Sequence, residues 1–300
     1  MMLAITGGTG FVGAALIEAA LAAGHEVRAL TRRAQPPRDG VSWIAGALDR
    51  PESLADLVRG ADAVIHVAGT VNAPDRAGFA AGNVAGTAAM IDAAGRAGVA
   101  RFVHVSSLAA RAPALSLYGA TKAEAEALVM AAPLDWRIVR PPAVYGPGDL
   151  EMLDVYRLAR HGLALLPPPG RVSLIAVADL ARLLLALAAD NGPPALYEAD
   201  DGTPSGWSHR DYARAIGAAL GRRVHSLSLP AALLMLAARA DSAVRGTRAK
   251  LTPDRARYMA HPDWVIDPAR RPPPELWTPQ QPTPDGLAAT ARWYRAQGLL

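Results

Sequence analysis

Short apolar runs alternate with alanine-rich segments of helical period through the first half of the chain, the pattern of repeated βαβ units around a parallel sheet. The runs predict strands over residues 2–6, 26–31, 41–45, 63–68, 101–106 and 136–140. Between them the 3.6-residue period predicts helices over 12–23, 51–58, 80–97 and 118–131, each closed by a Gly, a Pro or a short turn. After Pro147-Gly148 the alternation gives way to Pro-punctuated loops and isolated helices. A strand at 172–177 and a helix at 178–189 read as a return to the first domain. The expected fold is α/β, a doubly wound parallel sheet over 1–148 joined by 172–190. A smaller, discontinuous C-terminal substrate lobe is expected over 149–171 and 191–300. Residues 267–285 hold seven prolines and predict an extended surface loop before a last helix at 286–297.

With 300 residues, 51% apolar and 19% charged, the chain can bury a substantial core. Lys and Arg exceed Asp and Glu by 31 to 27, but no basic block is interleaved with aromatics, so no nucleic-acid partner is expected. With no cysteine there is no disulfide, thiolate metal site or cysteine nucleophile. The seven histidines are scattered without ligand-like spacing, and no metal is expected; His66 and His104 read as core or rim groups. Apolar stretches at 180–189 and 229–238 fall short of the roughly 20 residues that span a bilayer. No membrane partner is expected. Met1 leads straight into the first strand without the basic and apolar regions of a leader, which makes the cytoplasm the default location.

Candidate chemistry begins at the first turn. Thr6-Gly7-Gly8-Thr9-Gly10-Phe11-Val12-Gly13 follows an apolar strand and opens a helix, the context in which a GxGxxG spacing signifies a dinucleotide site. Glycines there allow a tight turn, close backbone approach to a pyrophosphate and close packing of helix on strand. Free amides at the positive helix end hold the anion. A Rossmann-type domain is therefore expected, with Gly7, Gly10, Phe11, Val12 and Gly13 against a nicotinamide dinucleotide. At the end of the second strand an NAD-selecting fold presents an acid to the ribose 2′-OH. Thr31-Arg32-Arg33 stands there instead. A guanidinium at Arg32 suits a 2′-phosphate by charge and fork geometry, so NADP is expected, with NAD left open and a solvated arginine loop as the plain alternative.

Tyr118-Gly119-Ala120-Thr121-Lys122 sets a phenol and an ammonium four residues apart on one helix face. A neighbouring cation favours the phenolate, and such a pair can give a proton to a carbonyl as hydride arrives or take one from an alcohol as hydride leaves. The preceding predicted strand ends in Ser106-Ser107, where a hydroxyl can polarise the same carbonyl. A turn or capping role is the structural alternative.

These pieces in order resemble an extended (atypical) short-chain dehydrogenase/reductase of the NAD-dependent epimerase/dehydratase superfamily, over residues 1–190. The matching segments are the glycine run, His66-Val67-Ala68-Gly69, Asn83-Val84-Ala85-Gly86-Thr87, Val105-Ser106-Ser107, the Tyr118 to Lys122 segment, and Arg140-Pro141-Pro142-Ala143-Val144-Tyr145-Gly146-Pro147-Gly148. The resemblance implies that Tyr118 is the general acid/base, that Lys122 lowers its pKa and binds the nicotinamide ribose, and that Ser107 rather than Ser106 positions the substrate oxygen. It implies further that Asn83 supports the active-site helix, that Ala68 and Gly69 line the cofactor trough, and that Pro142 to Val144 passes beside the nicotinamide. Where the family commonly has a Gly-Asp-Leu element on the adenine, this chain reads Gly46-Ala47-Leu48, so contacts around Leu48 fall to backbone groups.

Fold alone does not choose the reaction. Dehydratases of the family carry an Asp-Glu pair after the active-site strand, whereas this chain has Leu108-Ala109-Ala110. Nucleotide-sugar epimerases read Arg-Tyr-Phe-Asn where this chain has Arg140-Pro141-Pro142-Ala143, a version similar to the 3β-hydroxysteroid dehydrogenase, flavonoid reductase and complex I accessory-subunit branches. The leading expectation is an NAD(P)-dependent oxidoreductase interconverting a carbonyl and a hydroxyl on a small or apolar small-molecule substrate. Residues 163–169, Trp207 and the helix around 233–236 are candidates for lining its pocket, with plain packing the simpler account. Two alternatives stay open: a nucleotide-sugar epimerase with tightly bound NAD, and a non-catalytic dinucleotide-binding sensor or assembly factor. The Ala-rich helices at 80–97 and 118–131 resemble the family's dimer-forming pair and leave a homodimer open.

Overall fold

Strands β1 (Met2–Thr6), β2 (Glu26–Thr31), β3 (Val41–Ala45), β4 (Ala63–His66), β5 (Arg101–Val105) and β6 (Asp135–Val139) lie in one sheet with Ala195–Tyr197. The order is Ala195–Tyr197, β6, β5, β4, β1, β2, β3, and every pairing is parallel. A sheet of this kind is covered on both faces, which is why β4 and the body of β1 and β5 are buried throughout and, Thr6, His66 and His104 apart, apolar without alternation. The chain reverses direction of travel across the sheet between β1 and β4, the switch point at which such folds bind ligands beyond the carboxyl ends of their strands. The structure, a computed structural model, describes residues 1–246, 249 and 251–300.

Helices Phe11–Ala22, Pro51–Val58, Gly86–Arg96 and Leu117–Ala131 follow the predicted periodicity. Pro51 and Glu52 begin the second of them, where a missing amide is harmless and a carboxylate complements the helix dipole. Its Leu54, Leu57 and Val58 pack with Val64, Met90, Phe102 and Ile138 in a buried cluster. Each such leucine contributes about 2 kcal/mol. The single helix expected over 80–97 is three pieces: Arg76–Ala80, one π-helical turn at Ala81–Ala85, and Gly86–Arg96.

The chain forms two compact units, Met1–Pro141 with Leu180–Ala199 and Ala269–Thr278, and Pro142–Asp179 with Asp200–Pro268 and Pro279–Leu300. The first crossing falls at Pro141-Pro142, earlier than the expected 148; prolines lack the amide that would extend β6. A strand expected to return at 172–177 does not join the large sheet. Leu174–Ala176 pairs with Ala143–Tyr145 inside the second unit, and the short Ala195–Tyr197 takes the edge beside β6. In the second unit, Arg171–Val172 also pairs with Trp207–Ser208 and Asp263–Trp264, and Leu163–Leu166 pairs with His225–Ser228. Tyr145, Tyr156, Leu287 and Tyr294 are buried together there. Among the described residues no helix is long and apolar enough to cross a membrane.

Candidate active site

β1 delivers the chain into a turn closed by the Gly10 amide donating to the Gly7 carbonyl at 2.9 Å. Gly7 has φ +72°, and a Cβ there would lie 2.8 Å from the Ala68 amide nitrogen. At Gly13 a Cβ would run into the Gly7 carbonyl, so the helix sits against the turn itself. Helix Phe11–Ala22 has no side-chain cap and no acid in its first turn. Its first amides, which no helix bonds internally, are therefore left for an anion, and a pyrophosphate fits them by charge and by the close approach that the glycines allow.

A chain of buried hydrogen bonds runs outward from β4. The Thr6 hydroxyl accepts from the Ala68 amide at 3.1 Å and lies 2.8 Å from His66 Nδ1. His66 Nε2 is 3.1 Å from the Thr87 hydroxyl, whose own proton goes to the Asn83 carbonyl at 2.6 Å. With that proton committed, His66 must donate from Nε2 and accept at Nδ1. Burial, with Lys122 adding like-charge repulsion, pushes His66 down to about 3, so the imidazole stays neutral in that tautomer. Asn83, set on the π turn, accepts from the Thr70 amide at 2.7 Å and donates at 3.0 Å to both the Thr70 carbonyl and the Thr121 hydroxyl. It thereby ties the loop after β4 to helix Leu117–Ala131. A Cβ at Gly69 would stand 3.0 Å from Asn83 Oδ1 and 3.7 Å from Lys122 Nζ, which places that ammonium just under the loop.

The end of β5 is held by the same helix. Lys122 Nζ donates to the Val105 carbonyl at 2.7 Å. Burial lowers its pKa to about 8, opposed by the Glu126 carboxylate one turn further on. Glu126 accepts the Ser106 hydroxyl and a bidentate pair from Arg140 at 2.8 and 2.6 Å. Arg140 continues to the buried Glu198 at 3.4 Å, and Arg111 to Glu198 at 3.8 Å. Ser106 is thus committed to Glu126, whereas the Ser107 side chain hydrogen-bonds Tyr118. Ser107 also caps the turn Leu108–Arg111 by accepting from the Ala109 amide at 3.2 Å, the capping role that the sequence offered as the structural alternative.

Tyr118 departs from expectation in one respect. Burial raises its phenol above the usual value, and the opposing influence is the Ser107 hydrogen bond. Lys122, implied by resemblance to lower it, is engaged by the Val105 carbonyl. The phenol is therefore a proton donor at neutral pH.

The far end of the trough is built differently. Thr31 is buried and its hydroxyl donates to the Arg33 carbonyl at 2.6 Å, turning the chain, while Arg32 and Arg33 are exposed. A cavity of about 430 Å³ opens beside Gly8 and Thr9, walled by Gln35, Arg38 and Trp43. Arg38 is bidentate to Glu18 at 2.7 and 2.5 Å and so is occupied. Leu48 packs over Gly86 at the start of its helix. Pro142 and Val144 fall in the second unit, Val144 within the strand Ala143–Tyr145. Sequence reasoning missed Thr6, Thr87, Thr121 and Glu126 as site-shaping groups. Only Glu126 carries a readable signal, its four-residue step from Lys122. Among the described residues no group of three His, Cys, Asp or Glu side chains could hold a metal.

A parallel sheet with a glycine-turned helix at its switch point, and a serine, tyrosine and lysine gathered at the end of β5, define an oxidoreductase working with a nicotinamide dinucleotide. The chain belongs to the NAD(P)H-binding family, whose model matches residues 7–191. It is 37% identical to the ceramide reductase of Caulobacter vibrioides (strain NA1000 / CB15N), across 100% of this chain and 96% of that protein. It is 33% identical to the 4-hydroxy-2-methyl-3-oxo-4-farnesyl-3,4-dihydroquinoline-1-oxide ketoreductase of Stigmatella aurantiaca, over 67% of this chain and 68% of that one. Among solved structures, WbmG of Bordetella bronchiseptica in complex with NAD and UDP is similar in fold, with a TM-score of 0.76 over 99% of this chain and 96% of that one at 21% identity.

Proposed function

We propose that this enzyme reduces a ketone on a long-chain lipid of ceramide type, with NADPH as reductant and Tyr118, Ser107 and Lys122 as the working side chains. The observation that carries the reading is the neutral Tyr118 phenol hydrogen-bonded with Ser107, one helical turn from an ammonium anchored at the end of β5. A nicotinamide held in this trough would supply the hydride for the carbonyl carbon. Ser107 and Tyr118 receive the substrate oxygen between their hydroxyls, and the Tyr118 proton passes to that oxygen as the C=O bond becomes C–OH. Lys122 stays largely charged at neutral pH, holds the end of β5 through the Val105 carbonyl and binds the nicotinamide ribose. Gly7, Gly10, Phe11, Val12 and Gly13 take the pyrophosphate, Ala68 and Gly69 the trough wall, Leu48 the adenine side, and Arg32 the 2′-phosphate. Asn83 holds the helix that presents Tyr118.

The lipid substrate is supported by the full-length similarity to a protein named ceramide reductase, and the ketone by the second relative's name. Leu108-Ala109-Ala110 supplies no acid or base for elimination. The test is an assay of purified protein with NADPH or NADH and a ceramide-type ketone in mixed micelles, following absorbance at 340 nm and the alcohol by mass spectrometry. One alcohol is expected per NADPH consumed. Reduction of short water-soluble ketones but not of the lipid would sink the substrate class, and no binding of either dinucleotide would sink the whole reading.

A further inference from the structure

Among the described residues, six of the exposed large apolar side chains fall on three elements of the second unit: Leu163, Leu165, Leu227, Leu233, Leu236 and Val244, at 52–84% exposure. Leu163–Leu166 and His225–Ser228 pair in parallel with Leu165 opposite Leu227. Side chains alternate along a strand, so Leu163, Leu165 and Leu227 share one open face while Ala164 and Leu166 are buried on the other with Ala213. The chain then passes through Leu229-Pro230 into helix Ala231–Arg245. Leu234 and Ala238 of that helix pack with Ala256. Leu233, Leu236, Ala237, Ala240 and Val244, spaced i, i+3, i+4, i+7, i+11, form a second apolar stripe that is exposed. Of the segments considered from sequence as pocket lining or packing, Leu163, Leu165, Leu233 and Leu236 are exposed.

Charge is gathered on the same stretch. Residues 222–257 carry eight Lys and Arg against two Asp, a formal +6, in a chain of +4 overall; the remainder is −2. Arg245 and Arg257 pair with Asp241 and Asp254 on their own helices, and Arg255 with Glu151. Arg160, Arg222, Arg223 and Arg239 are exposed and have no acidic partner among the described residues. Arg160 and Arg222-Arg223 stand where the two open-faced strands begin, joined there by the His225 amide donating to the Gly162 carbonyl at 2.8 Å.

We propose that the open strand face and the exposed helix stripe that follows it dock the protein on an anionic lipid surface, their leucines entering the acyl boundary and the neighbouring arginines meeting headgroup phosphates. Basic amphipathic surfaces bind in this way without spanning. The expectation of no membrane partner rested on the lack of a spanning segment, a criterion blind to peripheral docking. A second copy of the chain fits less well, because a two-fold contact would set Arg160, Arg222 and Arg223 against themselves. Docking stands on this surface alone; only its use, to reach a substrate dissolved in the bilayer, rests on the functional reading above.

The test is flotation of the full chain with vesicles of phosphatidylglycerol and phosphatidylcholine, and with phosphatidylcholine alone. Binding to the anionic vesicles is expected, at least about tenfold weaker to the neutral ones and weakened by salt. Leu227→Ser/Val244→Ser and, separately, Arg222→Glu/Arg223→Glu should each lose about tenfold in binding with unchanged Tm and unchanged dinucleotide affinity. No flotation with anionic vesicles, or flotation of both variants as wild type, would overturn the proposal. So would a dimer that Leu227→Ser/Val244→Ser dissociates, since a second copy would then cover the face. Flotation with no lipid reduction in either micelles or vesicles would leave docking standing and remove the functional reading instead.

Discussion

The two ends of the dinucleotide trough are built on opposite terms. At the end assigned to the nicotinamide, Lys122, Thr121, Asn83, His66 and Glu126 are all buried and each is held by named partners on the strands, on the neighbouring helices or in the turns that follow β4, β5 and β6. At the end assigned to the adenosine, Arg32 and Arg33 reach into solvent from a turn held by Thr31 and by the Gln35 side-chain amide donating to the Arg33 carbonyl. A preorganised group cannot be altered without disturbing its supports, whereas an exposed arginine can be exchanged at little structural cost. Under the proposed function, reaction type is written into the core and cofactor choice onto the rim.

The largest test of that contrast is Tyr118→Phe. Loss of a positioned proton donor should lower kcat by about 10³-fold. Dinucleotide affinity, measured by fluorescence titration, should change less than about twofold. Substantial turnover in the variant would take the proton from Tyr118 and leave the buried end without its reagent.

Next in size is Glu126→Gln, which reaches the chemistry through Lys122. Removing one partner of the buried pair with Arg140 should lower stability by about 3 kcal/mol. Because Glu126 raises the Lys122 pKa, its loss lets burial pull that pKa below about 8. Lys122 loses its charge as pH rises through its pKa, so reduction should fall on the alkaline side, and in the variant that fall should begin at lower pH. A lower Tm with an unmoved kcat profile would leave Glu126 a structural residue alone.

Arg32→Ala probes the other end. One charge-assisted bond to a 2′-phosphate is worth about 2 kcal/mol, so NADPH affinity should fall about 30-fold with NADH affinity and Tm unchanged. Equal losses for both cofactors would mean that the arginine does not read the phosphate.

The same contrast governs what was legible in the sequence. β1, β2 and β3 run over the expected residues because each apolar run is bounded by glycine, proline or charge, and the Tyr118/Lys122 pair is visible because four residues make one helical turn. The π turn that carries Asn83 leaves no side-chain period, since its signature is a backbone register. Ala195–Tyr197 is too short for alternation to mark, and the longer 172–177 run drew the expectation in its place. Ser106 and Ser107 look alike in sequence. They differ because one donates to Glu126, 20 positions on, while the other meets Tyr118, 11 positions on. The His66 tautomer depends on Thr6 and Thr87, 60 and 21 residues away.

The smallest predicted effect separates the buried histidines from each other. His104 stacks on His66 with ring centroids 5.6 Å apart, yet among the described residues neither of its ring nitrogens has a hydrogen-bond partner. Burial, Lys122 and His66 together hold its pKa well below the usual value. His104→Leu removes two unsatisfied buried polar atoms at similar volume and should raise stability by about 1 kcal/mol in urea unfolding at pH 7.5. The sign of its pH dependence follows from linkage. Below about 6.5 the unfolded chain takes up a proton that the folded His104 refuses, so wild-type stability falls as pH falls toward the depressed folded value. Leucine has no such proton, and the variant's advantage should widen by about 1 kcal/mol on going to pH 5.5. An advantage equal at both pH values would mean that His104 is protonated or paired in the fold, and the well-satisfied buried end would then include it.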